Sequence, residues 1–224
     1  MFPAVIFDDF FENPDIVVDL ANSLDYEIGD GAWPGIRTEE LGKIKGLKSF
    51  ADSVTDKILR MFYPDKQFGY YAKLVFQKVK GFHEDQFHVK NRGWIHKDSG
   101  RAIGGIIYLD KDPEEETGTS LYKNKQLIFP HSHEEDSCKR RWYTGKDVSD
   151  EEYHNLFYSN PTHFEETVKV KNVYNRLFMF NGNEYHGVQT YGSHDRTRLT
   201  LAFFITYVNH NTYPFPTIRE WKSY

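Results

Sequence analysis

The sequence predicts a mainly β protein, and three observations carry this prediction. From residue 69 onward, short runs of aromatic and β-branched residues alternate with polar ones at a period of two, which is the period of a strand. Turn-forming stretches such as KDPEEETG and NGN separate these runs. Aromatic residues make up 17% of the chain, and flat rings pack well on a pleated surface. Many short strands with few helices are typical of a sandwich, a jelly roll or a barrel.

Composition narrows the classes of protein that fit. Hydrophobic residues make up 39% of the 224 residues, enough for a packed core, and the formal net charge is −5 at pH 7. A protein that coats phosphates is usually basic, so nucleic acid is disfavoured as a partner. The single cysteine excludes an intramolecular disulfide and a cysteine-rich zinc module. The chain opens without the basic segment of a signal peptide and has no apolar run of membrane-spanning length. We therefore expect a soluble, cytoplasmic protein without membrane contact, and the oligomeric state stays open.

Residues 1–66 are predicted to form a helical buttress. Asn13 and Pro14 have the residue types of a helix cap and a first helical position, and an amphipathic stripe follows them. Glycines and prolines at residues 29–46 predict a loop. A second amphipathic stripe follows and stops at Pro64, so a second helix is expected. The apolar stripes of both helices are expected to pack on a sheet.

Residues 69–224 are predicted to form the β core of a single domain spanning 1–224. A polar stretch at about 123–167 interrupts this core as an insertion, either a lid or a surface excursion. Within it, Ser149 and Glu152 have the spacing of a capping box and predict a short helix. The predicted strands are YYAKLVFQKV, WIHKD, RAIGGIIYLD, GTSLY, TVKVKNV, NRLFMF, EYHGVQT and RTRLTLAFFITYV.

Three features of the insertion have alternative interpretations. His131 and His133, with acids nearby, could bind a metal, but their polar surroundings favour a solvated loop. The cations at 139–141 beside Trp142 could contact a nucleic-acid strand, but flanking acids favour a solvated face of a lid. Cys138, in a charged stretch, is expected to be an exposed and unreactive thiol.

One constellation of residues points to chemistry. His96 and Asp98 are two positions apart, so on an extended strand both side chains project from the same face. His186 follows a tight NGN turn far downstream. Two histidines and one carboxylate are the ligand set of the facial triad of non-haem Fe(II) oxygenases. Arg196 and Arg198 come ten and twelve residues after His186, and a guanidinium on a strand suits a carboxylate ligand.

The order of these motifs resembles that of the Fe(II)/2-oxoglutarate-dependent dioxygenases. The order is H-x-D at a strand end, the strand GTSLY, a turn followed by a histidine, and then R-x-x-L-T-x-x-F. It is most similar to the prolyl-hydroxylase-like branch and to small oxygenases of phages and marine bacteria. The opening IFDDFFENPDIVVDLANSLDYE and the segment WPGIRT also resemble the helical start of those small proteins. The resemblance covers most of the chain.

The resemblance implies a double-stranded β-helix, or jelly roll, with N-terminal helices packed on its sheet. His96, Asp98 and His186 would be catalytic as the ligands of Fe(II). The cosubstrate 2-oxoglutarate would chelate the iron through its 1-carboxylate and 2-oxo group, and an arginine would hold its 5-carboxylate.

Two choices within that implied site remain open. Alignment on R-x-x-L-T favours Arg196 as the anchor of the 5-carboxylate, whereas an arginine directly before Leu-Thr favours Arg198. We lean slightly to Arg198 and keep both, because the two share one face of a strand. Tyr108 or Tyr71 could help to hold the same carboxylate.

The activity implied is hydroxylation of a C–H bond with O₂, releasing succinate and CO₂. A peptidyl proline or another amino-acid side chain is the favoured substrate, and a small molecule is the alternative. Two rival hypotheses stand beside it. The first is a non-catalytic jelly-roll binding or structural protein with a vestigial metal site, and the second is a cupin-like metalloenzyme with non-oxidative chemistry.

Overall fold

The computed structural model describes residues 4–64, 69–98, 103–126, 133–156 and 160–209. Within these ranges the chain forms ten strands and four α-helices, so the mainly β prediction is confirmed. No helix in the described part of the chain combines the length and the apolar character needed to cross a membrane. The helices are α1 (Pro14–Ser23), α2 (Lys48–Arg60), α3 (His133–Tyr143) and α4 (Asp150–Asn155). The strands are β1 (Ala4–Phe7), β2 (Glu27–Ile28), β3 (Ile36–Arg37), β4 (Tyr70–Lys80), β5 (Ile103–Tyr108), β6 (Thr119–Asn124), β7 (Phe164–Val170), β8 (Leu177–Asn181), β9 (Tyr185–Val188) and β10 (Thr197–Val208).

The strands of the described ranges form two antiparallel sheets. The larger sheet has the order β1-β8-β5-β10-β4-β3-β2, and the smaller has the order β7-β6-β9. The long strand β10 lies at the centre of the larger sheet and pairs with β4 on one side and β5 on the other. Its neighbours therefore fix the direction of every side chain along it.

One face of β10 belongs to the main hydrophobic core. Leu199, Leu201 and Phe203 are buried there together with Val17 of α1 and Ile58 of α2. This placement explains the apolar stripes of both helices, which are amphipathic because only one side of each meets the sheet. The prediction that the N-terminal helices pack on the sheet is confirmed.

The opposite face of β10 faces the smaller sheet. Arg198, Thr200, Ala202 and Phe204 alternate with the core residues and line a cavity of about 320 Å³. A second apolar cluster fills the remaining space between the sheets, formed by Tyr108, Leu121, Val170, Phe178 and Phe180 with smaller neighbours. One face of β10 thus packs in the hydrophobic core, and its other face lines a polar cavity.

Several local predictions need correction. Helix α1 begins at Pro14 as predicted, but the side chain of Asn13 accepts no capping hydrogen bond. The segment WIHKD does not form a regular strand. Its one ladder contact is the bridge between His96 and His186. Strand β3 lies in the stretch predicted as loop, because two residues are too few to show a strand period.

The insertion is partly helical, as predicted, and Ser149 caps α4 by accepting a hydrogen bond from the backbone N–H of Glu152 at 3.0 Å. The expectation of an exposed Cys138 is wrong, because this thiol lies on the buried side of α3, and its burial raises the pKa to about 11. His133 is exposed at the start of α3, and His131 lies outside the described residues.

The three cations at 139–141 do not share one environment. Arg140 and Arg141 lie on the solvated side of α3 and pair with acids, as predicted. Lys139 instead lines the cavity, and Trp142 is buried. The prediction of a uniformly solvated face is therefore wrong for Lys139, since a short helix over a cavity has an inner side.

Candidate metal centre and carboxylate pocket

His96, Asp98 and His186 converge at the cavity. The Nε2 atom of His96 lies 3.8 Å from Oδ1 of Asp98, and the Nε2 atom of His186 lies 3.6 Å from Oδ2. One potential ligand atom from each of the three residues lies within 4.8 Å of the others. The structure thus brings together the three residues that the sequence singled out.

Backbone hydrogen bonds hold these residues in place although they are remote in sequence. His96 and His186 exchange two backbone hydrogen bonds of 2.9 Å each, and the N–H of Asp98 donates to the carbonyl of Gly182 at 2.9 Å. Gly104 on β5 leaves room for the carboxylate, since a Cβ there would stand 2.9 Å from Oδ2 of Asp98. The tight NGN turn before β9 and Gly104 of β5 therefore both serve the geometry of this centre.

The two imidazoles are oriented as metal ligands. Nδ1 of His96 lies 2.8 Å from the carbonyl of Trp94, and Nδ1 of His186 lies 2.9 Å from the carbonyl of Glu184. A carbonyl only accepts, so each Nδ1 carries the proton and each Nε2 presents its lone pair to the centre. The pKa of His96 lies below its usual range, because protein atoms displace water from the ring and His186 is close to it. The neutral form is the one that binds a metal.

This donor set fits a divalent metal of the Fe(II) type. Two neutral imidazole nitrogens and one carboxylate form the 2-His-1-carboxylate set, which leaves coordination positions open for other molecules. The side chain of Asp98 is only 14% exposed, so it is a shielded anion next to two neutral rings. A cation between the three ligand atoms would offset that charge.

A second polar cluster lies deeper in the cavity, around Arg198. This side chain is buried, and its Nε donates to the carbonyl of Thr117 at 2.9 Å. Its Nη2 is also buried and has no hydrogen-bond partner among the described residues. A guanidinium with a free, shielded N–H is an incomplete binding site for an anion.

Three hydroxyl groups near Arg198 are incomplete in the same way. The side-chain oxygens of Tyr108, Thr119 and Thr200 are buried and lack a hydrogen bond of standard geometry within the described ranges. The ring of Tyr108 lies 5.5 Å from the guanidinium carbon of Arg198, and Thr200 pairs with Tyr108 in the sheet. Burial raises the pKa of Tyr108, which keeps its hydroxyl protonated and able to donate. One cation with three hydroxyl donors suits a carboxylate.

The sequence left four candidates for binding the 5-carboxylate of 2-oxoglutarate, and their surroundings in the structure differ. Arg196 precedes β10, has a side chain 52% exposed and pairs with Asp112 at 3.2 Å. Tyr71 is 58% exposed on β4. Of the four candidates, Arg198 lines the cavity, Tyr108 is buried beside Arg198, and Arg196 and Tyr71 lie outside the cavity.

Sequence reasoning missed other residues that line the cavity. These are Arg37, Lys73, Lys139, Thr119 and Thr200. The segment WPGIRT, which carries Arg37, was noted only for its resemblance to related proteins. Thr119 and Thr200 lie within quoted motifs, where alternation on a known strand would have placed them. Nothing in the sequence indicates which side of α3 faces inward.

Solved structures of low sequence identity share this fold. The chain is similar to HygX from Streptomyces hygroscopicus, solved with nickel and 2-oxoglutarate bound, with 12% identity, a TM-score of 0.55, and coverage of 91% of this chain and 82% of that one. A 2OG-Fe(II) oxygenase family oxidoreductase from Burkholderia pseudomallei has 10% identity, a TM-score of 0.53, and coverage of 93% and 85%. A prolyl-4-hydroxylase from Pseudomonas putida has 13% identity, a TM-score of 0.48 and coverage of 92% of both chains. The chain thus shares the fold of the HygX and Burkholderia structures.

Comparison by sequence gives a family but no characterised relative. No curated protein matches the sequence significantly. Residues 2–205, nearly the whole chain, match a family of unknown function, DUF6445. The chain therefore belongs to the DUF6445 family.

Proposed function

We propose that the protein is an Fe(II)- and 2-oxoglutarate-dependent dioxygenase that hydroxylates a C–H bond of its substrate. One observation carries the proposal. The ligand trio His96, Asp98 and His186 opens into the same cavity as the incomplete carboxylate pocket around Arg198. A protein that binds only a metal would not require the polar cluster around Arg198. A protein that binds only an anion would not require the three metal-ligand residues. We also infer that the two sheets form a double-stranded β-helix and that the chain forms a single domain.

In this proposal the metal is held by Nε2 of His96, Nε2 of His186 and the carboxylate of Asp98. The backbone carbonyls of Trp94 and Glu184 keep both rings in the ligating tautomer. When bound, Fe(II), 2-oxoglutarate and O₂ together supply the oxidant for C–H hydroxylation and release succinate and CO₂. All other tasks fall to the side chains of the cavity.

Arg198 is proposed to anchor the distal carboxylate of 2-oxoglutarate. Its free Nη2, with the hydroxyls of Tyr108, Thr119 and Thr200, would complete hydrogen bonds that the protein alone leaves unmade. Because these donors sit on three strands from both sheets, they fix the cosubstrate in one orientation relative to the metal ligands.

Apolar side chains are proposed to exclude water near the metal ligands. The ring of Phe180 lies 4.4 Å from that of His186, and Ile106 and Phe204 also line the cavity. A site shielded in this way protects a reactive oxidant from side reactions. The resemblance of the sequence favours an amino-acid side chain as substrate, with a small molecule as the alternative.

Anaerobic titration of the purified protein with Fe(II) and 2-oxoglutarate tests the proposal. We expect a weak visible absorption band that needs both additions, and slow formation of succinate in air. Asp98→Ala should abolish both signals, because it removes the anionic ligand. Asp112→Ala is the matched control, since that carboxylate is 87% exposed and outside the cavity. A folded protein that binds metal but gives neither signal would favour the non-catalytic binding protein instead.

A further inference from the structure

The described lining of the cavity is cationic, although the protein as a whole is acidic. Among the residues that the structure describes, the cavity is lined by four basic residues, Arg37, Lys73, Lys139 and Arg198, and by one acid, Asp98. With neutral histidines the lining carries a formal charge of +3 (four minus one). Adding Fe(II) and a 2-oxoglutarate dianion leaves that sum unchanged, since their charges cancel. Arg198 is assigned to the cosubstrate in the proposed function, so three cations remain.

These three cations have no carboxylate partner. Arg37, Lys73 and Lys139 form no ion pair with any residue that the structure describes. Burial lowers the pKa of Lys139. The two acids that act against this lowering, Asp136 and Asp30, are both held by Arg140 at 2.8 Å. The positive charge at the cavity is therefore left for a ligand.

Arg37 is the best defined of the three cations. Its Nη2 donates to the side-chain oxygen of Gln77 at 3.1 Å, and its guanidinium lies 4.8 Å from the ring centre of Trp33. Its Nε is buried and has no hydrogen-bond partner among the described residues. Burial lowers the pKa of Arg37 to about 10, so the group stays charged at neutral pH. A shielded guanidinium with neutral partners and a free N–H is costly without an anion.

The surroundings hold this guanidinium in a fixed place. Gln77 also donates to the carbonyl of Pro34 at 2.7 Å, so the same amide ties the loop before β3 to the side chain of Arg37. Arg37 and Gln77 are paired residues of β3 and β4. The planar face of Trp33 limits the guanidinium further. Such a preorganised fork is suited to two oxygen atoms of one anionic group.

We propose that the substrate of this site carries a carboxylate or phosphate group, which Arg37 binds as a fork while Lys139 and Lys73 add positive charge. This inference rests on the proposed function, because it assigns Arg198 to 2-oxoglutarate. Asp98 lies close enough for its charge to act on Arg37, and Lys139 acts likewise on His96. The anionic group would thus be held beside the metal ligands, with the reacting C–H bond a short distance from it.

Matched neutral and anionic probes test the inference. Benzoate, phenyl phosphate and the neutral benzamide are titrated by calorimetry into the anaerobic protein loaded with Fe(II) and 2-oxoglutarate. We expect at least one of the two anions to bind at least about tenfold more tightly than benzamide, since hydrogen bonds to a charged group are worth about 1.5–3 kcal/mol. The anion that binds more tightly identifies the group. The emission of Trp33 should change on binding, because its ring lies over Arg37.

The variants Arg37→Gln, Arg37→Lys and Arg60→Gln complete the design. Arg37→Gln should remove the preference for anions and Arg37→Lys should weaken it, because lysine keeps the charge but not the fork. Arg60→Gln is the matched control, since Arg60 is an exposed arginine of α2 paired with Asp56. Equal binding of both anions and benzamide by the wild type, or a preference that survives in folded Arg37→Gln, would overturn the inference.

A separate titration with 2-oxoglutarate distinguishes this inference from the proposed function. If Arg37→Gln and Arg198→Gln weaken the binding of 2-oxoglutarate to the same degree, Arg37 binds the cosubstrate. The inference is then wrong, while the proposed function stands. If the wild type binds no 2-oxoglutarate at all, the proposed function fails. The anion preference of the metal-free protein then decides whether Arg37 is an anion site in its own right.

Discussion

Arg196 and Arg198 are two residues apart, yet they have different surroundings. Arg196 precedes the first residue of β10 and pairs with an exposed acid. Arg198 is buried between the sheets beside three hydroxyl groups that make no hydrogen bond of standard geometry within the described residues. Of these two side chains, only Arg198 is shielded from water. Only Arg198 can therefore form a strong charge-assisted hydrogen bond with a bound ligand.

Arg198→Gln should raise the dissociation constant of 2-oxoglutarate about 10- to 100-fold, the equivalent of about 1.5–3 kcal/mol for hydrogen bonds to a charged group. Arg196→Gln should change it little, because an exposed ion pair contributes about 0–1 kcal/mol. Calorimetric titration of the Fe(II)-loaded protein measures both constants. If Arg196→Gln had the larger effect, the anchor of 2-oxoglutarate would be Arg196 and not Arg198. Arg198→Lys, with the charge retained, should fall between the wild type and Arg198→Gln.

The two arginines show what periodicity can and cannot predict at single residues. The i and i+2 rule placed His96 and Asp98 on one side of an extended segment, and the structure has them there. The same rule predicts that Arg196 and Arg198 share a face, and it fails because β10 begins at Thr197. Strand ends depend on pairing partners, which a single sequence does not show.

Strand β10 divides its tasks between its two faces. Leu201 is fully buried against the helices, whereas Thr200 next to it lines the cavity with a hydroxyl that has no hydrogen-bond partner among the described residues. Substitutions at neighbouring positions should therefore have unrelated effects.

Leu201→Ala should lower the free energy of unfolding by about 2–5 kcal/mol, because it leaves a cavity in the main core. Thr200→Val should change the free energy of unfolding by less than about 1 kcal/mol, since it removes a hydroxyl that lacks a partner. It should instead raise the dissociation constant of 2-oxoglutarate several-fold. Urea denaturation and calorimetry separate the two effects. A marked loss of stability in Thr200→Val would show that its hydroxyl is bonded within the protein.

Elements with a clear period were predictable, and short or polar ones were not. The long strands β4 and β10 alternate over eleven and twelve residues, so their signal is strong. Strand β3 has two residues, and its register comes from pairing with β4. Helix α3 is polar almost throughout, so its pattern did not reveal that Lys139 faces the cavity. The elements that carry Arg37 and Lys139 were therefore hard to predict, whereas Lys73 lies on the predictable strand β4.

At the scale of the whole molecule, the mouth of the cavity is formed by segments from distant parts of the chain. The loop before β3 meets the backbone of α3, where a Cβ on Gly31 would stand 2.6 Å from Cα of Arg140. Arg140 also reaches the side chain of Asp30 at 2.8 Å. Arg37 and Lys139 line one cavity because these two segments pack together.

Gly31→Ala should destabilise the protein more than Gly46→Ala. Both glycines have a positive φ, 89° and 88°, but nothing lies within 4 Å of a Cβ on Gly46. Gly46→Ala should thus cost about 1–2 kcal/mol from the backbone alone. Gly31→Ala adds a clash with α3. Each kcal/mol lowers the Tm by about 2–4 °C in a chain of this size. Equal Tm values for both variants would mean that the loop and α3 do not pack in solution.

Whole-chain composition predicted the fold class better than the character of the site. Aromatic content and turn spacing were sufficient for a mainly antiparallel β protein. The net charge of −5 suggested that anionic targets are disfavoured. The charge of a cavity, however, depends on which side chains the topology brings together, and here four of the 28 basic residues outnumber one acid.

The metal-ligand residues and the other cations of the cavity lie on different elements, and this separation has an evolutionary consequence. The metal-ligand residues and the proposed cosubstrate anchor belong to the paired strands and to the stretch hydrogen-bonded along β9. Arg37 belongs to the short strand β3, which lies next to the edge strand β2, and Lys139 belongs to helix α3, whereas Lys73 belongs to the inner strand β4. A change in β3 or α3 could therefore alter two of the cations of the cavity while leaving the metal-ligand residues in place.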